Sequence, residues 1–186
     1  MRRLVITQNI TLDGVIDNEL GWFDVTADTP EGRELAEATA EHAAASDGFL
    51  VGRTTFEEMR GFWPQQQDDR TGVTDHLNRV HKHVVSTTLE DPRWEGTEML
   101  RGGPDLTAEI TALKERDGTD IVLTGSISLG HDLLAAGLVD ELRLFTYPVV
   151  LGRGRRLFPD GFETRGLELL EERRFLNGVV LLRYAL

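Results

Sequence analysis

Three short segments of this 186-residue chain place hydroxyl groups or glycine directly after a run of apolar residues. They are Val51-Gly52-Arg53-Thr54-Thr55, Val85-Ser86-Thr87-Thr88 and Leu123-Thr124-Gly125-Ser126-Ile127-Ser128. Where the apolar run is a strand and a helix follows, the turn offers free backbone N–H groups at the positive end of a helix dipole. Glycine there lets the backbone approach a bound anion closely. The chemistry that suits such turns is the holding of phosphate. Each turn taken singly is equally explained by helix capping, for which Ser, Thr and Gly are common. Three in one chain favour a nucleotide. The usual nucleotide fingerprints are absent: no G-x-x-x-x-G-K-[ST] occurs, and Gly152-Arg153-Gly154-Arg155-Arg156-Leu157 lacks a third glycine and a strand-to-helix setting.

Other reactive groups are few. The absence of cysteine excludes thiolate zinc sites, iron–sulfur clusters, disulfides and cysteine nucleophiles. His76, His81 and His83 lie close in sequence, but without a helical His pair or a clear carboxylate partner no metal is expected. Trp22, Phe23, Phe62 and Trp63 fall in two long loops, where aromatic rings suit a flat heterocycle or close a core from above. His131 reads as a capping or surface residue. A formal net charge of -12 argues against nucleic-acid and anionic-membrane partners, which need a basic face. The local cluster Arg153, Arg155 and Arg156 reads as a solvated loop. Neither an 18-residue apolar run nor a signal-peptide pattern is present at the N-terminus, which predicts a cytoplasmic location.

For the turns to converge, the strands before them must be parallel neighbours ending at one sheet edge. The pattern supplies such strands. Leu4 to Ile10 reads as a strand ending near Asp13-Gly14, and Phe49-Leu50-Val51, His83 to Ser86, Thr97 to Leu100 and Ile121-Val122-Leu123 read as further short ones. Helices are predicted from Pro30, with Thr29 as N-cap, to before Gly48; from Thr54, with overlapping capping boxes Thr54/Glu57 and Thr55/Glu58; around Asp75 to Val80; from Pro104 to Arg116; and around Leu129 to Leu134, closed by Gly137. Phe62 to Asp69 is read as loop. Leu142 to Val150 is a strand with Pro148 marking an edge or bulge, and Leu167 to Phe175 with Val179 to Tyr184 forms a hairpin across Asn177-Gly178 in a type I′ turn. Alternating strands and helices followed by a hairpin predict an α/β fold, a mostly parallel central sheet with an antiparallel C-terminal hairpin. A chain of this length with 40% hydrophobic residues suits one domain over residues 1–186.

Four segments in order carry a family resemblance. They are Ile6 to Ile16 with Thr11-Leu12-Asp13-Gly14-Val15-Ile16 at its centre, Phe49-Leu50-Val51-Gly52-Arg53-Thr54-Thr55-Phe56, Gly125-Ser126 through Leu133 to Leu142, and Pro148-Val149-Val150-Leu151-Gly152-Arg153-Gly154-Arg155-Arg156-Leu157-Phe158. Over nearly the whole chain this resembles the dihydrofolate reductase superfamily, and within it the reductase domain of riboflavin-biosynthesis deaminase-reductases in stand-alone form. The resemblance implies a three-layer α/β/α fold, a homodimer, and NADPH as cofactor for reducing a pterin-like or pyrimidine-like substrate. It implies that the backbone of Gln8 and Asn9 flanks the nicotinamide, that Gly52, Arg53, Thr54 and Thr55 hold phosphates, and that Ser86, Thr87 and Thr88 meet the adenosine 2′-phosphate. Gly125 and Ser126 would turn beneath the pyrophosphate, followed by Ile127, Ser128 and Leu129. Trp22, Phe56 and Trp63 are expected at the substrate, and Asp13, Asp24 and Asp28 are the candidate catalytic acids. The chain departs from the family at Val15, where riboflavin-pathway reductases carry Lys, and none of Asp24, Asp28, Glu34 and Glu37 is singled out by spacing as the acid that faces a pterin. An inactive nucleotide-binding or sensor protein on the same fold is the alternative reading, and a structural domain whose glycine turns only cap helices is a third.

Overall fold

β-Branched and apolar runs form the strands, and their burial follows their place in the sheet. In the computed structural model, which describes residues 1–24, 29–66, 69 and 71–186, the strands are β1 (Leu4–Thr11), β2 (Ser46–Gly52), β3 (His81–Val85), β4 (Thr97–Leu100), β5 (Asp120–Leu123), β6 (Glu141–Tyr147), β7 (Glu168–Arg174) and β8 (Val180–Ala185). They build one sheet in the order β4-β3-β2-β5-β1-β6-β8-β7. β1 through β6 pair in parallel, and β8 runs antiparallel to both β6 and β7. The central strands are largely buried, β1 opening with Leu4-Val5-Ile6 and β5 carrying Ile121-Val122-Leu123, whereas edge strand β7 is largely exposed and carries Glu and Arg.

The helices are α1 (Pro30–Ala44), α2 (Arg53–Phe62), α3 (Val73–Arg79), α4 (Leu106–Glu115) and α5 (Ile127–Ala135). Thr29 caps α1 as predicted, its hydroxyl accepting the Gly32 N–H at 3.0 Å, and Pro30 opens the first turn. Gly137, at φ 65°, closes α5 in a Schellman arrangement: the Gly137 N–H reaches Leu134 O and the Leu138 N–H reaches Leu133 O, each at 3.1 Å. One face of the sheet packs Leu4, Ile6 and Leu50 against Ile110 and Leu113 of α4 and Leu133 and Leu134 of α5. On the other face, Phe49 and Val51 meet Phe56 and Leu77 from α2 and α3, while Phe145 and Leu181 meet Ala38 of α1. This is the three-layer α/β/α arrangement.

Five local expectations are corrected. The capping boxes at Thr54 and Thr55 do not form: Gly52 is the N-cap of α2, with no side-chain cap. α4 is entered through a 3-10 turn, Gly103–Asp105, that contains Pro104, and Trp63–Gln65 forms a second such turn within the expected loop. β6 stops at Tyr147 because Pro148 has no N–H to continue a ladder. The hairpin turn is not type I′, which needs positive φ at both central residues. Gly178 has φ 82° but Asn177 is not in that region, and the Gly178 N–H to Phe175 O and Phe175 N–H to Val179 O bonds define a three-residue loop with a glycine bulge.

Candidate active site

Parallel pairing brings all three glycine and hydroxyl turns to the carboxyl edge of the sheet. β2 and β5 are neighbours with Leu50 opposite Leu123, so the turns that follow them meet. Ser126 joins them: its hydroxyl accepts the Gly52 N–H at 2.9 Å, and its own N–H donates to the Thr55 hydroxyl at 3.0 Å. Gly125 and Ser126 both lie in the left-handed region, at φ 62° and 46°. The Gln8 amide grips Gly125 from β1, donating to its carbonyl at 2.9 Å and accepting its N–H at 3.3 Å. Since the Ser126 hydroxyl is spent on Gly52, α5 begins without a side-chain cap, as does α2. The first-turn N–H groups of both helices, Arg53 to Thr55 and Ile127 to Leu129, are therefore the open donors of this edge. Leu129 itself is buried in the core and Ser128 is exposed, so that segment offers backbone more than side chains.

The third turn flanks the first, because β3 pairs with β2 through Val85 opposite Gly52. Ser86 Oγ accepts the N–H groups of Thr88 at 3.1 Å and Leu89 at 3.0 Å, which shapes the turn and leaves Thr87 and Thr88 on the surface. Arg53 is exposed and pairs with Glu57 at 2.8 Å. After β4, the Glu109 carboxylate accepts the N–H groups of Arg101 at 2.9 Å and Gly102 at 2.8 Å. This pair of backbone donors already holds the chain's own anion, a feature the sequence reading did not contain.

Next to the Gly125 turn β1 and β5 part. β1 pairs with β5 only from Leu4 to Ile6, whereas its pairing with β6 runs on to Thr11 opposite Tyr147. Beyond Ile6 the Gln8 side chain spans the gap between β1 and the Gly125 turn. An aromatic group gathers at Tyr147, which pairs with Thr11 at the end of β1. Trp22 packs edge-on to Phe23 at 4.6 Å and to Tyr147 at 5.3 Å, and its indole N–H donates to Asp17 O at 2.6 Å. Burial pushes the Tyr147 phenol up to about 12, so it stays protonated at neutral pH. Tyr147 was missed in the sequence; the alternation Phe145, Tyr147 along β6, facing α1 with Leu35 and Ala38, is the signal that could have found it.

The proposed acids separate. Asp13 clamps a loop. Its carboxylate accepts the Thr11 hydroxyl at 2.7 Å and the N–H groups of Gly152 at 2.7 Å and Leu151 at 3.2 Å, and these bonds, the Thr11 one foremost, hold it down to about 2. Asp24 is exposed beside Phe23, and Asp28 lies outside the described residues. Glu34 accepts the Leu176 N–H at 2.9 Å, and His131 meets Arg156 O at 2.9 Å. Phe56 is a correction: it is 0% exposed, packed on Trp94 at 5.7 Å within the core, and offers no surface to a substrate. Trp63 packs with Phe62 at 5.0 Å and against that same core cluster, not with Trp22. Val15 is buried and bridges to Arg156. His83 is buried with Nδ1 at 3.1 Å from Glu98, a carboxylate that Arg116 also holds at 2.6 Å.

One sheet in this strand order between two layers of helices is a fold like that of dihydrofolate reductase. The chain belongs to the RibD C-terminal domain family, which matches residues 2–181. It is 31% identical over 186 residues to YyaP, an uncharacterized protein of Bacillus subtilis (strain 168), covering 98% of this chain and 94% of that protein. Among solved structures it resembles a protein from Shewanella sp. PV-4 named for riboflavin biosynthesis, with TM-score 0.72, 19% identity and 98% of each chain covered. It also resembles dihydrofolate reductase from Enterococcus faecalis, solved in complex with NADP(H), with TM-score 0.63, 16% identity and 98% and 95% of the two chains covered.

Proposed function

We propose that this chain is an NADPH-dependent reductase that delivers a hydride to a small heterocycle of pterin or pyrimidine type. It would act as a cytoplasmic homodimer without nucleic-acid or membrane partners. The observation that carries the reading is the meeting of two uncapped helix starts. α2 and α5 approach from opposite faces of the sheet, and the Ser126 hydroxyl bonded to the Gly52 N–H ties their first turns together at 2.9 Å. Two positive helix ends at one point suit a diphosphate, whose charge is shared by two groups. Arg53 and the exposed Thr87 and Thr88 lie on the flank where an adenosine 2′-phosphate would be met. Family membership and the fold shared with an NADP(H)-binding reductase support the same cofactor.

Bound NADPH would supply the hydride. The chain's own residues bind and orient. The backbone of Gln8 and Asn9, beyond the β1–β5 pairing, would flank the nicotinamide, and Trp22, Phe23 and Tyr147 would form an apolar wall for a flat ring. Tyr147, protonated across the physiological range, can donate a hydrogen bond at that wall. Asp13 cannot, since it is ionised and committed to the Gly152 loop.

Thermal melting with each cofactor tests the assignment. NADPH at a hundred times its dissociation constant should add about 2.7 kcal/mol of stability, and NADH should add less. Equal shifts would remove the 2′-phosphate assignment, and no shift with either would remove the cofactor. NADPH consumption with dihydrofolate, riboflavin-pathway pyrimidines and small quinones then seeks the substrate. Binding without turnover on any of them would favour the sensor reading, on whose side stands the loss of Asp13 as an acid.

A further inference from the structure

The β1–β5 ladder ends at Ile6 and Leu123, yet Gln8 continues it with its side chain. A primary amide carries a donor and an acceptor side by side, and here Nε2 serves the carbonyl of Gly125 at 2.9 Å while Oε1 accepts its N–H at 3.3 Å. The amide thus stands where the next peptide group of a paired strand would be. Gln8 is 5% exposed, so loss of either bond would leave a buried polar group unpaired.

The residue it grips needs holding. Ser126 sits at φ 46°, a left-handed region that is unfavourable for a residue with a side chain. Gly125 at φ 62° precedes it, and the Thr55 hydroxyl takes the Ser126 N–H on the far side. With the N–H groups of Gly52, Gly125 and Ser126 satisfied by Ser126, Gln8 and Thr55, the outward donors at this turn are those of Ile127, Ser128 and Leu129. The direction of those three follows from the conformation of the two residues before them.

Resting on the NADPH reading above, we propose that Gln8 is a positioning residue for the cofactor. Its side chain, with Thr55 opposite, fixes the Gly125–Ser126 turn so that the start of α5 meets the pyrophosphate, while its backbone lies at the nicotinamide end. One residue therefore couples the two halves of the site.

The test compares NADPH with 2′,5′-ADP, which carries the adenosine phosphates but neither the second half of the pyrophosphate nor the nicotinamide. Gln8→Leu should weaken NADPH tenfold or more and leave 2′,5′-ADP within twofold, a split that general damage to the fold would not produce. Gln8→Glu, which sets a carboxylate oxygen against Gly125 O, should behave alike. Thr55→Val should weaken NADPH several-fold, Thr55→Ser should restore it, and combining Gln8→Leu with Thr55→Val should cost less than the product of the two losses. Wild-type NADPH affinity in Gln8→Leu overturns the proposal alone; failure of the wild-type protein to bind NADPH overturns the cofactor reading and the proposal with it. Should Gln8→Leu not fold, amide exchange in the free wild-type protein decides. Protected Gly125 and Ser126 N–H groups are expected, and exchange as fast as in an unfolded peptide overturns the clamp.

Discussion

Single residues at the sheet edge are held by contacts that their types alone do not announce. A Cβ on Gly125 would stand 2.8 Å from Thr55 Cγ2, so this glycine is required by its neighbour and by its φ of 62° before any ligand is bound. Gly125→Ala should cost about 1–2 kcal/mol in urea denaturation, from the left-handed backbone and the clash together. Adding Thr55→Ser, which removes Cγ2 and keeps the hydroxyl, should recover part of that loss; no recovery would mean that the backbone conformation carries the whole cost. Asp13 makes a pH-dependent contribution of definite sign. Its folded pKa of about 2 lies below the ordinary value of 3.8, so the folded state binds fewer protons than the unfolded one in that interval. Stability from this carboxylate is full above pH 3.8 and is lost as pH falls from there toward 2. Asp13→Asn should flatten that part of an acid-unfolding profile, and an unchanged profile would show that the Gly152 loop contributes nothing to the folded state.

At the scale of elements, the amino end of the sheet is held by charge where the carboxyl end is left open. Glu141 of β6 is 1% exposed and accepts from Arg143 at 3.0 Å, Arg183 at 2.8 Å and Arg3 at 3.0 Å. Burial alone would raise its pKa, but the surrounding guanidiniums outweigh this and hold the carboxyl below its ordinary value. Glu141→Ala leaves buried Arg143 with Asp120, at 3.9 Å, as its remaining ion-pair partner among the described residues, and breaking a buried pair costs about 3–5 kcal/mol. Equilibrium unfolding checks this, and a loss below about 1 kcal/mol would place the pair among exposed bridges. Strand and helix positions were largely legible because apolar runs, the Thr29 cap and Gly137 act within a few residues. Phe56 was misplaced because a motif fixes neighbours in sequence and not the direction of a side chain, which on α2 points inward. The Asn177-Gly178 turn was misread because loop length, set by how β7 and β8 pair, decides turn type. Gln8 was assigned its backbone role but not its side-chain grip, since its partner lies 117 residues away and only the sheet brings them together.

For the whole molecule, a formal net charge of -12 sets the approach of an anionic cofactor. A chain of this length has a radius of gyration of about 16 Å. At 10 mM salt the screening length of about 30 Å exceeds that, so NADPH meets the summed negative charge before it meets any one turn. At 150 mM the length falls to about 8 Å, and only groups near the edge are felt. Those nearest groups are the helix starts of α2 and α5, while Arg53 is offset by Glu57 at 2.8 Å and Arg155 on the neighbouring loop by Glu19 at 3.3 Å. Raising salt over this range should therefore remove the distant repulsion faster than it weakens local attraction. Stopped-flow measurement of NADPH association, followed by nicotinamide fluorescence, should show a rate constant that rises from 10 to 150 mM salt, with dissociation also faster as phosphate contacts are screened. An association rate that falls instead would mean that the edge presents a positive field strong enough to override the charge of the rest of the chain, and Arg153, Arg155 and Arg156 would then be the first residues to neutralise.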